Sequence, residues 1–176
     1  MEEIKPFWEG LNSSDIIAIS AACIALFSGG IALWQGWLMR RHNVLSVTPH
    51  IDIEKNLVAG EVVTIGVCNH GIGPAIVREL NYVKSDGSTI QLSSYEAYKD
   101  AFADIGVQLV QYTHSVRELS NNTPIGAGKD LDLVTFPDSA ADYSQNRLLS
   151  KRIEAMRIEV TYECSYGKKY FVSTNT

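Results

Sequence analysis

Residues 15–41 read DIIAISAACIALFSGGIALWQGWLMRR, and the architecture turns on what this stretch does. No charged residue occurs from Ile16 to Met39, a run of 24 residues. As an α-helix rising roughly 1.5 Å per residue it would extend about 36 Å, more than the ~30 Å hydrocarbon core of a bilayer. The run is therefore expected to span a membrane with some tilt. A secretory signal is the main rival and fits poorly, because the residues before the run are acidic and the run is too long. Glu2, Glu3, Glu9 and Asp15 precede it against Lys5 alone, whereas Arg40, Arg41 and His42 follow at once. Basic flanks stay cytoplasmic, so residues 1–15 are expected outside and residues 43–176 in the cytosol, with 16–39 as the span. Trp8 at one end and Trp34 and Trp37 at the other suit the two interfaces, where an indole N–H stays wet.

The composition of the span is unusual for a bare anchor. Ala18, Ala22, Ala25, Gly29, Ala32 and Gly36 are spaced four, three, four, three, four, the period of a left-handed helix seam. Ala21, Ser28 and Gln35 form the neighbouring row. The rest of the surface is mostly large, with Ser20, Cys23 and Gly30 as exceptions. In lipid, helices associate by close backbone approach along small residues, aided by side-chain hydrogen bonds. The seam is therefore expected to pack against other copies, against the alternative that Ala and Gly are simply common in spans. A polar amide within a span usually faces protein or water, which makes Ala21, Ser28 and Gln35 the pore-lining candidates; interfacial solvation of Gln35 is the plainer reading.

Beyond the span, the chain fits one modest domain. From Asn43 onward 12 Lys/Arg stand against 16 Asp/Glu, which argues against broad nucleic-acid binding but allows a local anion site. Cys23, Cys68 and Cys164 are odd in number and widely spaced, so neither a disulfide framework nor a zinc cluster is expected. Val47, Thr48, Ile51 and Ile53 suggest an extended entry into a sheet, with Pro49 at an edge or bend. Val63, Ile65 and Val67 alternate as a half-buried strand, and residues 69–75 (NHGIGPA) read as a turn whose Gly71 and Gly73 take unusual backbone angles. Residues 75–92 read as two strands joined at Asp86-Gly87. Ser93 stands three residues before Glu96, a capping-box spacing that opens a short helix ending near Gly106. Residues 107–119 could form a strand, and Leu131–Phe136 is a further one. A second helix follows with Leu148, Leu149 and Ile153 as its apolar stripe, then a strand–turn–strand ending around Ser165-Tyr166-Gly167. Seven or eight short strands with two inserted helices imply an all-β sandwich or barrel preceded by one transmembrane helix.

Catalytic chemistry is hard to find. The four histidines are scattered, and no nucleophile elbow occurs. The 69–74 turn superficially resembles a phosphate loop but lacks its Lys-Ser/Thr ending. No His or Cys pair has helical or CxxC spacing, and Asp130 and Asp132 at a strand start read as solvated. No cofactor is therefore expected, and an enzyme is the weakest reading. One cluster could hold an anion: Tyr143, Arg147, Lys151 and Arg152, with Arg157, Lys168, Lys169, Tyr166 and Tyr170 further on. A solvated helix face and a charged edge strand explain the same residues.

Leu45, Ser46, Pro49, Asn69, Gly71, Gly73, Pro74 and Ala75, together with the layout, resemble small bacterial single-span membrane proteins that carry a cytosolic β-sandwich. The layout is similar to that of Hailong-type anti-phage membrane effectors. That resemblance implies a bacterial inner-membrane homo-oligomer, with a tetramer as candidate stoichiometry. It further implies an ion channel controlled by a nucleotide or oligonucleotide from a partner enzyme. A membrane-tethered interaction module without channel activity is the alternative.

Overall fold

The computed structural model describes residues 12–174. Trp8 and the charged Glu2, Glu3, Lys5 and Glu9 lie outside the described residues. The chain divides into two compact units, residues 1–45 and 46–176.

In the first unit, helix α1 (Ser13–Ser46) begins three residues before the expected span and passes beyond Met39, so Arg40, Arg41 and His42 are themselves helical. It is long and apolar enough to cross a membrane, and none of its apolar window is buried. Near the basic end, the Arg41 guanidinium lies 5.8 Å from the centre of the Trp37 ring, a cation held over an aromatic face.

The second unit consists of two antiparallel sheets around one core, with short helices inserted. Strands β1 (Ile51–Asn56), β2 (Val63–Asn69), β5 (Ser115–Val116) and β7 (Asp130–Phe136) form the first sheet in the order β1-β2-β7-β5. The second contains β3 (Ala75–Val83), β4 (Thr89–Gln91), β8 (Arg157–Cys164) and β9 (Lys169–Ser173) in the order β4-β3-β8-β9, with β6 (Thr123–Ile125) also paired to β3. β8 alternates without a break: Ile158, Val160, Tyr162 and Cys164 are buried, and the residues between them are not. The Tyr162 hydroxyl accepts a hydrogen bond from the Ile51 amide at 3.3 Å, tying the second sheet to the first.

Two irregularities re-phase the strands. Ile65 pairs with Val134 but Gly66 with Asp132, so Leu133 is an extra residue on β7. Leu133 and Val134 can therefore both be buried, while Asp130 and Asp132 stay on the outer face. A second bulge at Arg78 turns that side chain toward Glu163, with which it forms an ion pair.

Helix α2 (Tyr95–Asp104) is capped by Ser94, whose hydroxyl accepts from the Ala97 amide, and not by Ser93. Glu96 pairs instead with Lys99 one turn on, at 3.0 Å. The 107–119 segment is mostly not a strand. Val107, just before a 3₁₀ turn at Leu109–Gln111, and Leu109, its first residue, are buried, and only Ser115–Val116 joins a sheet. Helix α3 (Tyr143–Glu154) buries Leu149 and Ile153, whereas Leu148 is 49% exposed and does not belong to the stripe. The 70–74 turn also differs in its cause. Neither Gly71 nor Gly73 has positive φ; a Cβ at Gly73 would stand 1.9 Å from the Val47 carbonyl oxygen, and one at Gly71 2.3 Å from the His50 nitrogen. Glycine is needed there for close approach of the 47–50 backbone.

Candidate functional site

Three features carry chemistry: the small-residue stripe of α1, a groove beside α3, and the outer face of the first sheet.

On α1, every seam position (Ala18, Ala22, Ala25, Gly29, Ala32, Gly36) is exposed, as are Ala21, Ser28 and Gln35. A Cβ added at Gly29, Gly30 or Gly36 would meet nothing within 4 Å. Glycine in a helix interior costs about 1 kcal/mol relative to alanine, and no contact among the described residues offsets that.

The α3 groove grows out of the way α3 packs. Asp142 caps the helix, its carboxylate accepting from the Ser144 and Gln145 amides at 3.0 and 3.1 Å. A bond from the Ser144 hydroxyl at 2.7 Å, and then these two, hold the Asp142 carboxyl below the usual range. Asn146, buried, donates its amide to the Val58 and Glu61 carbonyls and so fastens the β1–β2 loop to the helix. Beside it lies a groove of about 360 Å³, floored by Leu57 and Asn146 and flanked by Tyr143, Arg147, Lys151 and Glu154. Arg147 and Lys151 are four residues apart and so share a helix face.

The structure brings together only part of the expected anion cluster. Arg152 is turned away, donating to the Ile105 carbonyl at 3.1 Å across Gly106. Arg157 pairs with Glu159, at the start of β8. Lys168 and Lys169 follow the far end of β8, roughly 20 Å away by strand rise. There the Lys168 ammonium sits 5.2 Å from the Tyr170 ring, and Tyr170 stacks on Tyr162.

The outer face of the first sheet was not singled out by sequence reading. Antiparallel register places Asp52 opposite Cys68, and Cys68 opposite Asp130; Glu54 is opposite Gly66, and Gly66 opposite Asp132. Four carboxylates thus share one face with a thiol. A cleft of about 300 Å³ opens over Gly66, with Glu54, Asp130 and Asp132 in its wall. Lys55 leaves this face: its ammonium donates to the Glu154 and Met156 carbonyls, and burial lowers its pKa. His70, just past β2, places Nε2 3.2 Å from the Glu54 carboxylate and Nδ1 3.6 Å from Cys68 Sγ. The Cys68 thiol donates to Asp130 at 2.8 Å. That bond, then burial and the surrounding carboxylates, push the thiol pKa up to about 11. The order Cys68–His70–Glu54 superficially follows a nucleophile, a base and an orienting acid. The thiol proton, however, points to Asp130 rather than to the imidazole, and a thiolate is disfavoured here, opposite to what an activated nucleophile requires. The signal available in sequence was the Cys-x-His spacing at the end of a strand, where alternate residues share a face; helical and CxxC spacings do not detect it.

No protein-family model matches the chain, and no curated protein matches it significantly.

Proposed function

We propose that the protein is a homo-oligomeric single-span membrane effector whose α1 helices associate along the Ala18–Gly36 seam and perturb the bilayer. The observation that carries this reading is the stripe itself. Gly29 and Gly36, both on the seam and inside the helix, have no neighbour among the described residues that requires glycine, and in lipid small residues are what allow helix backbones to approach. Ala21, Ser28 and Gln35 border the seam and are the residues that would face a conducting path. In this reading the β domain lies on the cytosolic side of a bacterial inner membrane, which the basic end of α1 supports. There the α3 groove, with Arg147, Lys151 and Tyr143, offers two cations and an aromatic ring to a nucleotide-type anion made by a partner enzyme. The acidic outer sheet face repels such a ligand. The biological setting proposed, from the resemblance given above, is anti-phage defence.

The test is cross-linking and ion flux of the full chain in liposomes, wild type against Gly29→Leu and Gly36→Leu. The expected result is a defined oligomer with ion flux in the wild type and loss of both in each variant. Monomer alone at high protein density, or equal behaviour of all three, would sink the reading.

A further inference from the structure

We infer that Glu54, Cys68 and His70 form a binding site for a divalent metal ion of the zinc class on the outer face of the first sheet. Each residue offers one ligand atom, and these atoms all lie within 4.8 Å of one another. A tetrahedral zinc ion bound at 2.0–2.3 Å spaces its ligand atoms about 3.3–3.7 Å apart. Cys68 Sγ and His70 Nδ1 already stand 3.6 Å apart. Glu54 and His70 have side chains 55% and 50% exposed, so ordinary rotations can close the remaining distance.

The donor set selects the metal. One sulfur, one imidazole nitrogen and one carboxylate oxygen suit zinc and its borderline neighbours, and are poor for magnesium or calcium, which take oxygen ligands. The surroundings act in the same direction. Asp52 and Asp130 flank Cys68 by register, Asp132 lies opposite Gly66, and the Lys55 ammonium is engaged by the Glu154 and Met156 carbonyls. The nearby carboxylates attract a divalent cation to this face by their charge. On binding, the Cys68 thiol gives up its proton to solvent, and with it the bond to Asp130, and its sulfur becomes the ligand. Such a site joins β1 to β2 and to the 70–74 turn, and it is independent of whether α1 assembles.

The test uses the full chain purified in detergent, its affinity tag removed and metal stripped by a chelator. Titration with Co²⁺ is expected to produce a sulfur-to-cobalt charge-transfer band saturating at one ion per chain. Zn²⁺ should abolish the band and raise the melting temperature of the β domain. Cys68→Ser should lose the band, and Glu54→Gln and His70→Gln should bind at least about tenfold more weakly. Both latter side chains are half exposed, so these variants are expected to melt like the metal-free wild type and keep the comparison valid even where Cys68→Ser folds poorly. Absence of the band in the wild type, or affinities in His70→Gln and Glu54→Gln equal to the wild type, overturns the inference.

Discussion

Asn69 shows most directly how one side chain organises the β domain. It is fully buried, and its amide nitrogen donates to the carbonyls of Gly73, Ile125 and Gly126 at 2.9, 3.0 and 3.2 Å. Its carbonyl oxygen accepts from the His50 and Gly71 amides at 3.2 and 3.0 Å. Three segments distant in sequence thus meet on one residue, and the missing Cβ atoms of Gly71 and Gly73 let the 47–50 backbone come close enough to join them. Removing the amide strands several buried backbone groups, each costing about 1–3 kcal/mol when unpaired. Asn69→Ala is expected to lose about 3 kcal/mol in denaturant unfolding of the β domain. Asn69→Asp should be worse at neutral pH, because a carboxylate has no proton for the three carbonyls. A loss in Asn69→Ala below about 1 kcal/mol would show that water replaces the amide.

At the scale of elements, α3 joins local sequence to the groove it borders. Its cap is sensitive to acid. The folded pKa of Asp142 lies below its ordinary value because the charged form accepts from Ser144 and Gln145. A depressed carboxylate pKa stabilises the fold above the unfolded value, near pH 4, and that contribution disappears as pH falls through the folded value. Asp142→Asn keeps an acceptor for the helix amides but does not titrate. Its thermal stability should stay near wild type at pH 7 and fall less steeply below about pH 4. Asp142→Ala should melt lower at pH 7 as well. An acid limb in Asp142→Asn identical to wild type would remove Asp142 from the titration; Asp86 and Glu163, also depressed, would then account for it. α3, the Asp86-Gly87 hairpin and the β8–β9 ending were legible in sequence because their signals are local: periodicity, a turn dipeptide, an apolar stripe. Gly87 and Gly167 both have the positive φ that such turns require. The 107–119 segment was not legible. Val107 and Leu109 mimic strand alternation, yet they are buried around a 3₁₀ turn while Val110 is 71% exposed. The cap of α2 moved by one residue because Ser93 and Ser94 are chemically equivalent candidates, and backbone geometry chooses between them.

At the scale of the whole molecule, long-range register decides what sequence spacing leaves open. Arg147 and Lys151 share a groove because a helix brings residues four apart together, whereas Lys168 and Lys169 are carried away along β8. Cys68, His70 and Glu54 meet only because β1 and β2 pair in one register of several possible. The same long-range view separates the two units. Among the described residues, every buried apolar side chain lies at or after Pro49, and the apolar window of α1 contributes none. The β domain therefore has a core of its own. Its 12 Lys/Arg against 16 Asp/Glu leave it net acidic, a balance that favours solubility. Its exposed large apolar residues, among them Val58, Ile72, Val110 and Phe171, come from separate elements. Residues 46–176 expressed alone are thus expected to be a monomer with one cooperative unfolding transition, and the full chain in detergent is expected to be an oligomer. Light scattering and denaturant unfolding on both forms read this directly. An unfolded or aggregated fragment would mean that the core is incomplete without residues 1–45. A fragment oligomer of the same stoichiometry as the full chain would move the assembly surface from the α1 seam to the sheets, and the glycines of α1 would again lack an explanation.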